Sequence, residues 1–299
     1  MRRLIVVLLS TAGLLLGGCA PVRTAAQSPP APTARVSGSG EAAPSSGSSH
    51  FHLLFEDDFD TPVPKGDFAD CAHDVDTPQA YCADLPASVR ADWWAYPSGW
   101  PDTASEDGYR VHGSYDPASD LWISPVDGDG QLHVRLWRSA AGGPVHSAAV
   151  VPKKLMDRTY GKFEERFRVS RAAPGFKGAH MLWPQDDNAC PNCEDDFAEG
   201  DWDGRIWGYA HHQGMAGGAQ DQYTTGATWT SWHTTDIVWT PGSVEFLLDG
   251  KVVGRSTRGV PDQPMSWIIQ NESALNGPSA APGSWAQLDI TYVKGWSYS

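Results

Sequence analysis

The segment ACPNCEDDFAEGDWDG, residues 189–204, places four carboxylates within six residues: Glu194, Asp195, Asp196 and Glu199. Carboxylates this close repel one another, so ionising all of them is costly. Such a set retains a proton near neutral pH, which general acid catalysis requires. The alternative interpretation is a solvated acidic loop without a catalytic role.

Strand parity decides whether these side chains can act together. Glu194 and Asp196 share a face, whereas Glu199 would point the other way on a regular strand. One extra residue between Asp196 and Glu199, a β-bulge, restores the parity, and bulges often occur beside active sites. The two glutamates would then lie about 13 Å apart at Cα, at roughly 3.3 Å per strand residue. Their long side chains can lean over Asp196 towards the roughly 5–5.5 Å carboxyl spacing of a retaining glycosidase.

Several other segments alternate polar and apolar residues with period two, which is typical of half-buried strands. The apolar faces are Leu132, Val134 and Leu136 in one segment, Phe163, Phe167 and Val169 in a second, and Leu288, Ile290 and Tyr292 in a third. Asp249-Gly250 predicts a tight hairpin turn, and no long amphipathic helix is evident. These features predict an all-β protein, an antiparallel β-sandwich.

The chain divides into three segments. Residues 1–18 combine two arginines with an apolar run, typical of an export signal. The run ends in LGGC, which resembles a bacterial lipobox and predicts lipid modification of Cys19 after cleavage. Residues 19–49 are rich in Pro, Ala, Ser, Gly and Thr, which predicts a disordered linker. Residues 50–299 are long enough for one domain with a large core.

Charge and cysteine content restrict the partners and the compartment. The formal net charge of −14 argues against nucleic acid and other polyanions as partners. Besides Cys19 the chain has Cys71, Cys82, Cys190 and Cys193, and an even number suits disulfides in an exported protein. Of three connectivities we favour Cys71–Cys82 with Cys190–Cys193. A four-cysteine zinc site is the alternative.

The segment EDDFAEG, residues 194–200, resembles the signature of glycoside hydrolase family 16, E-(I/L)-D-(F/I/V)-x-E, in its version with one extra residue. Five more segments resemble motifs of this family in the family's order. They are FEDDFD, YGKFEERFRV, GAHMLWPQ, SWHTTDIVWTPGSVEFLLDGKVVG and LDITYVKGW. The resemblance extends over most of residues 52–296.

The resemblance implies a concanavalin A-like jelly roll with a concave substrate cleft. It also implies Glu194 as nucleophile, Glu199 as acid/base, and Asp196 between them, hydrogen-bonded to Glu194. This chain departs from the family at Asp195, where an apolar residue facing the core is usual. We expect Asp195 to be paired, with Arg205 as candidate, or exposed at the strand start. A rival register uses Glu199, Asp201 and Asp203.

Sugar rings have apolar faces, so clefts for sugars combine aromatic platforms with hydrogen-bonding groups. The residues that we expect to contact substrate are Trp183, Trp202, Trp207, His211, His212 and Gln270. Successive residues of a strand face opposite ways, so at most one of the two histidines enters the cleft. Trp239 is assigned to the core. No cofactor is expected, although Glu56 and Asp289 match the places where some family members hold a structural calcium.

The function predicted from the sequence is a retaining endo-acting hydrolase of β-linked polysaccharide, with a β-1,3- or mixed-linked glucan as substrate. We expect a monomer, exported and lipid-anchored through Cys19 at the outer face of a bacterial cell membrane, with no other membrane contact. Two alternatives remain at this point: a non-catalytic, lectin-like surface lipoprotein, and a transglycosylase of the same family.

Overall fold

The structure is a computed structural model that describes residues 50–73, 77–186, 188–215 and 218–299. The predicted signal (1–18), the predicted linker (19–49) and Cys19 lie outside the described residues. Within the described ranges, no helix has the length and apolar character needed to cross a membrane.

Strands are the main elements. In chain order they are β1 (Phe51–Asp57), β2 (Trp93–Ala95), β3 (Gly113–Tyr115), β4 (Leu121–Val126), β5 (Asp129–Arg138), β6 (Val145–Pro152), β7 (Gly161–Arg171), β8 (Phe176–Pro184), β9 (Asp195–Asp201), β10 (Arg205–His211), β11 (Gln220–Thr228), β12 (His233–Thr240), β13 (Ser243–Leu248), β14 (Lys251–Ser256), β15 (Met265–Ser273) and β16 (Trp285–Tyr298). The helices are short: α1 (Ala87–Asp92), α2 (Thr103–Glu106), α3 (Pro117–Asp120) and a 3₁₀ turn, Lys153–Leu155.

The strands form two layers. The front sheet has the order β11-β10-β9-β8-β15-β6-β2, and the back sheet has the order β4-β5-β16-β7-β12-β13-β14, with β1 also beside β16. Pairing is antiparallel except between β3 and β6, and a short β5–β6 pairing connects the two layers. The predicted antiparallel β-sandwich is therefore confirmed.

The core lies between the two sheets. Phe163 of β7 packs against Trp267 of β15, and Phe197 of β9 packs against Phe246 of β13. Trp239 is fully buried, as predicted. The β13–β14 hairpin turns at Asp249 and Gly250, both with positive φ, as a tight turn of this kind requires.

A polar link crosses this core behind the front sheet. Glu165 interrupts the alternation of β7 and is fully buried. Its carboxylate contacts His180 Nδ1 on β8, and His180 Nε2 lies 3.2 Å from the side-chain oxygen of Asn271 on β15. Hydrogen bonding of this kind offsets the cost of burying polar groups.

The described cysteines are paired as predicted. Cys71 is bonded to Cys82 and Cys190 to Cys193, so these residues form no zinc site. The second disulfide ends at the residue directly before Glu194. It closes the loop that leads from β8 into β9.

One predicted strand face is wrong. Leu288 and Ile290 are buried as expected, but the register of β16 shifts between Ile290 and Tyr292. Tyr292 consequently lies opposite Arg166 on the outer face of the back sheet, and Val293 takes the buried position.

Candidate active site

The predicted β-bulge is present in β9. On the neighbouring strand β8, Met181 lies opposite Asp196 and Ala179 lies opposite Glu199. Residues 179–181 of β8 thus lie opposite residues 196–199 of β9, so β9 has one extra residue here. Strand β10 shows the same shift, with Tyr209 opposite Asp196 and Trp207 opposite Glu199. Because opposite residues in a sheet share a face, Asp196 and Glu199 point to the same side.

That side faces away from the core. Phe197, between them in sequence, packs inward against the back sheet. Glu194 lies beside them, because its Oε2 is 3.7 Å from His211 Nε2 and Asp196 Oδ2 is 3.5 Å from the same nitrogen. Glu194, Asp196 and Glu199 together form the acid cluster. The Glu199 side chain is 24% exposed and that of Glu194 is 19% exposed, so solvent reaches both.

The acid cluster resists complete ionisation. Burial raises the pKa of Asp196 well above its ordinary value, and the charges of Glu194 and Glu199 raise it further. Burial also raises the pKa of Glu194, against an opposing effect of His211. A side-chain hydrogen bond with Asp196 also lowers the pKa of Glu194, in agreement with the predicted contact between these two residues. Because these carboxyl groups interact, the pKa values of the cluster belong to the set and not to single residues.

A lysine that the sequence reasoning missed lies beside the cluster. Lys177 Nζ is 3.1 Å from Glu199 Oε1 and 3.6 Å from Glu272 Oε1. Lys177 lies on β8, and alternate residues of this strand, at 177, 179, 181 and 183, share the outer face of the front sheet. This period-two pattern could have placed Lys177 on the same sheet face as the acid cluster from the sequence alone.

Asp195 is buried and has no hydrogen-bond partner among the described residues, which corrects the prediction. Its neighbours across the sheet are Leu182 and Ala210, two core residues, and it is 0% exposed. Arg205, the predicted partner, donates to the Gly226 carbonyl instead. Burial, followed by the Glu194 charge, raises the pKa of Asp195 well above its ordinary value, which favours the neutral acid.

The predicted aromatic contacts separate into two groups. Trp207 lies directly opposite Glu199 and is partly exposed, and Trp183 is partly exposed on the same sheet face. Trp202 is 0% exposed and packs near Gly178 and Trp229, so the predicted substrate contact for Trp202 is wrong.

The two predicted histidines face opposite sides of the sheet, as strand parity requires. His211 faces Glu194 and Asp196, whereas His212 is buried, with Nε2 3.2 Å from Asp221 Oδ2. His212 is therefore not placed to contact substrate. Gln270 lies opposite Ala179 on the outer face but is largely buried.

The two predicted calcium ligands are not brought together. Asp289 Oδ1 is 2.8 Å from His133 Nδ1, while Glu56 pairs with Lys294, five residues further along β16. A group that can hold a cation is found elsewhere among the described residues. Single ligand atoms of Glu194, Asp196 and His211 all lie within 4.8 Å of one another.

The rival register does not fit the strand. Asp203 lies in an exposed turn after β9 has ended, and Asp201 lies opposite Lys177. The outer face of β9 presents Asp196, Glu199 and, at its last residue, Asp201, and Glu194 directly precedes the strand. The rival register fails because its third carboxylate, Asp203, lies beyond β9.

Comparison with solved structures shows the same fold. A glycosyl hydrolase family protein from Mycobacterium fortuitum matches with a TM-score of 0.58 and 18% identity, over 82% of this chain and 100% of that chain. The β-glucanase of Bacillus licheniformis matches with a TM-score of 0.56 and 14% identity, over 82% and 98% of the two chains. The catalytic domain of an endo-1,3-β-glucanase (laminarinase) from Thermotoga petrophila matches with a TM-score of 0.56 and 18% identity, over 83% and 98%.

Comparison with curated protein sequences gave no match. The family model described as Glycosyl hydrolases family 16 matches residues 130–288, which is more than half of the chain and includes the acid cluster. The predicted family is confirmed, and with it an enzyme rather than a sugar-binding lectin. The chain belongs to glycosyl hydrolase family 16.

Proposed function

We propose that this chain is an endo-acting hydrolase of a β-1,3- or mixed-linked glucan that works with retention of configuration. The observation that carries the proposal is the bulge in β9, which places Asp196 and Glu199 on one exposed sheet face beside Glu194. Two long carboxylic side chains that flank a shorter one suit a nucleophile and an acid/base on either side of a sugar ring.

The reaction has two steps. Glu199 donates its proton to the glycosidic oxygen while a Glu194 oxygen attacks the anomeric carbon and forms a glycosyl ester. Glu199, now ionised, then takes a proton from a water molecule that attacks the same carbon and releases Glu194. Asp196 stays buried beneath them, and as a neutral acid it limits the repulsion between the carboxyls.

The substrate class is supported by likeness and by charge. Structural neighbours include enzymes described as β-glucanase and endo-1,3-β-glucanase. A chain with a formal charge of −14 suits a neutral polymer better than an anionic one. Trp207 and Trp183 offer partly exposed aromatic surface for sugar rings.

The test follows product stereochemistry on defined glucans. The purified domain, residues 50–299, is incubated with β-1,3-glucan, mixed-linked β-glucan and β-1,4-glucan oligosaccharides, and fresh products are followed by proton NMR. We expect the β-anomer first, with the α-anomer appearing later by mutarotation. Initial α-anomer would exclude double displacement, and products longer than the substrate would instead indicate a transglycosylase.

We also propose that the chain is exported and anchored through a lipid on Cys19, as the lipobox-like LGGC supports. In a bacterial host, Cys19→Ser is expected to move most of the protein from the membrane fraction to a soluble one, because a lipid chain is the predicted membrane contact. Immunoblots of both fractions measure this. Unchanged membrane association of the variant would contradict the anchor.

A further inference from the structure

We propose that Lys177 is a positioning residue for Glu199, orienting its carboxyl group so that the catalytic proton lies on the oxygen facing the substrate. This inference rests on the function proposed above. Its starting point is the 3.1 Å contact between Lys177 Nζ and Glu199 Oε1.

Lys177 is itself held from behind. Its ammonium lies 3.6 Å from Glu272 Oε1, and Glu272 is fully buried. The backbone N–H of Thr103 donates to Glu272 Oε2 at 3.0 Å, and the Tyr115 hydroxyl lies 3.4 Å from the same oxygen. Glu272 thus provides a fixed anchor for one side of the ammonium, and the other side reaches Glu199.

The pairing explains why a lysine is tolerated at this position. The Lys177 side chain is only 10% exposed, and burying an ammonium is costly unless carboxylates compensate its charge. Among the described residues, no other lysine or arginine forms an ion pair with Glu199 or Glu272. Burial lowers the pKa of Lys177, but these two carboxylates outweigh that effect, so its pKa is raised and the ammonium persists.

The donor chemistry of lysine determines where the proton sits. An ammonium has three N–H donors and no acceptor, so the Glu199 oxygen that it contacts must act as acceptor. In a protonated carboxyl the carbonyl oxygen is the better acceptor, so the contact of Lys177 with Oε1 favours the proton of Glu199 on Oε2. The same contact restricts rotation of a glutamate side chain that is otherwise partly exposed, and small displacements of a catalytic group are costly.

The test uses leaving groups of different acidity. Lys177→Met removes the charge and keeps the length of the side chain. On β-1,3-glucan, whose leaving oxygen needs a proton, we expect kcat to fall about 100-fold with KM within about threefold, within the range for general acid catalysis. On the 2,4-dinitrophenyl glycoside of the β-1,3-linked disaccharide, which leaves without protonation, we expect at most about a fivefold loss when azide replaces water as nucleophile.

A second variant distinguishes a loss of catalysis from a loss of folding. Lys177→Met leaves the Glu272 charge buried and unpaired, which is destabilising. In the double variant Lys177→Met/Glu272→Gln this charge is removed, while a carbonyl oxygen remains for Thr103 and Tyr115. The double variant is expected to show the same large loss of kcat on the polymer and the same small loss on the activated glycoside.

Lys162→Met is the matched control. Lys162 Nζ also lies between two carboxylates, 2.7 Å from Glu164 Oε2 and 2.8 Å from Asp236 Oδ1, but on the back sheet. Its removal should leave kcat on both substrates within about twofold.

Three results would overturn the proposal. Equal losses on both substrates in both variants would show that Lys177 does not act through proton transfer, and unchanged activity on both would show that it has no role. In either case the wild type is active and the proposed function stands. Wild-type protein inactive on both substrates would overturn the proposed function and this inference together.

Discussion

Replacing Glu194 by alanine is expected to reduce kcat on β-1,3-glucan roughly 10⁴- to 10⁶-fold, the range seen when a nucleophile is removed from an enzyme. The reason is geometric: with Glu194 removed, no other exposed carboxylate at the entrance of β9 can attack the anomeric carbon while Glu199 protonates the leaving oxygen. Reducing-sugar release measures the loss. Glu245→Gln, a glutamate of β13 that pairs with Arg255, is the control and should retain full activity.

Azide separates the roles of the two glutamates. In Glu194→Ala, azide enters the space of the missing nucleophile and should produce the α-glycosyl azide from an activated aryl glycoside. In Glu199→Ala, azide attacks the glycosyl-enzyme and should produce the β-glycosyl azide. The same anomer from both variants, or rescue of neither, would show that the two residues do not hold these roles.

The site could be predicted where strand parity and chemistry impose the same condition. Three carboxylates that act on one sugar ring must share a face, and at residues 194, 196 and 199 only an extra residue achieves this. The register of β9 against β8 and β10 contains that residue. No such chemical condition applied to β16, so the shift after Ile290 was not foreseen and Tyr292 was placed on the wrong face.

Lys177 shows what strand parity alone can predict and what it cannot. It shares its strand face with Ala179, which lies opposite Glu199, so a front-face position followed from the alternation of β8. Its contact with Glu272 did not follow, because the pairing of β8 with β15 joins residues almost one hundred positions apart. Burial of Trp202 likewise depends on its packing beside Trp229, a contact that no local pattern in the sequence reveals.

Asp195 illustrates the same limit for side-chain partners. The cost of a buried carboxylate predicted a partner, and Arg205 was nearby in sequence. In the structure, Arg205 opens β10 opposite Thr228, whereas Ala210, at the other end of this strand, lies opposite Asp195. Burial raises the pKa of the Asp195 carboxyl instead, which favours its neutral form.

Asp195→Leu is therefore expected to stabilise the domain, and the gain should grow with pH. A carboxyl whose pKa is higher in the folded than in the unfolded state contributes most stability below its unfolded pKa, about 3.9. That contribution is lost as the pH rises towards the folded pKa, at up to about 1.4 kcal/mol per pH unit. The variant has no such group, so its free energy of unfolding should exceed that of the wild type by an amount that grows steadily from pH 4 to pH 7.

Urea denaturation at pH 4, 5, 6 and 7 measures this difference, because all other titrating groups are common to both proteins. Asp195→Asn is the isosteric control: it cannot ionise, so its stability relative to the wild type should rise with pH by the same slope, from a lower starting value set by its unpaired amide. A difference between Asp195→Leu and the wild type that stays constant from pH 4 to 7 would mean that Asp195 ionises in the folded protein as easily as in the unfolded chain. Because that would require a hydrogen-bond donor at a position enclosed by Leu182 and Ala210, the pH slope tests directly whether the core accepts this acid in its neutral form.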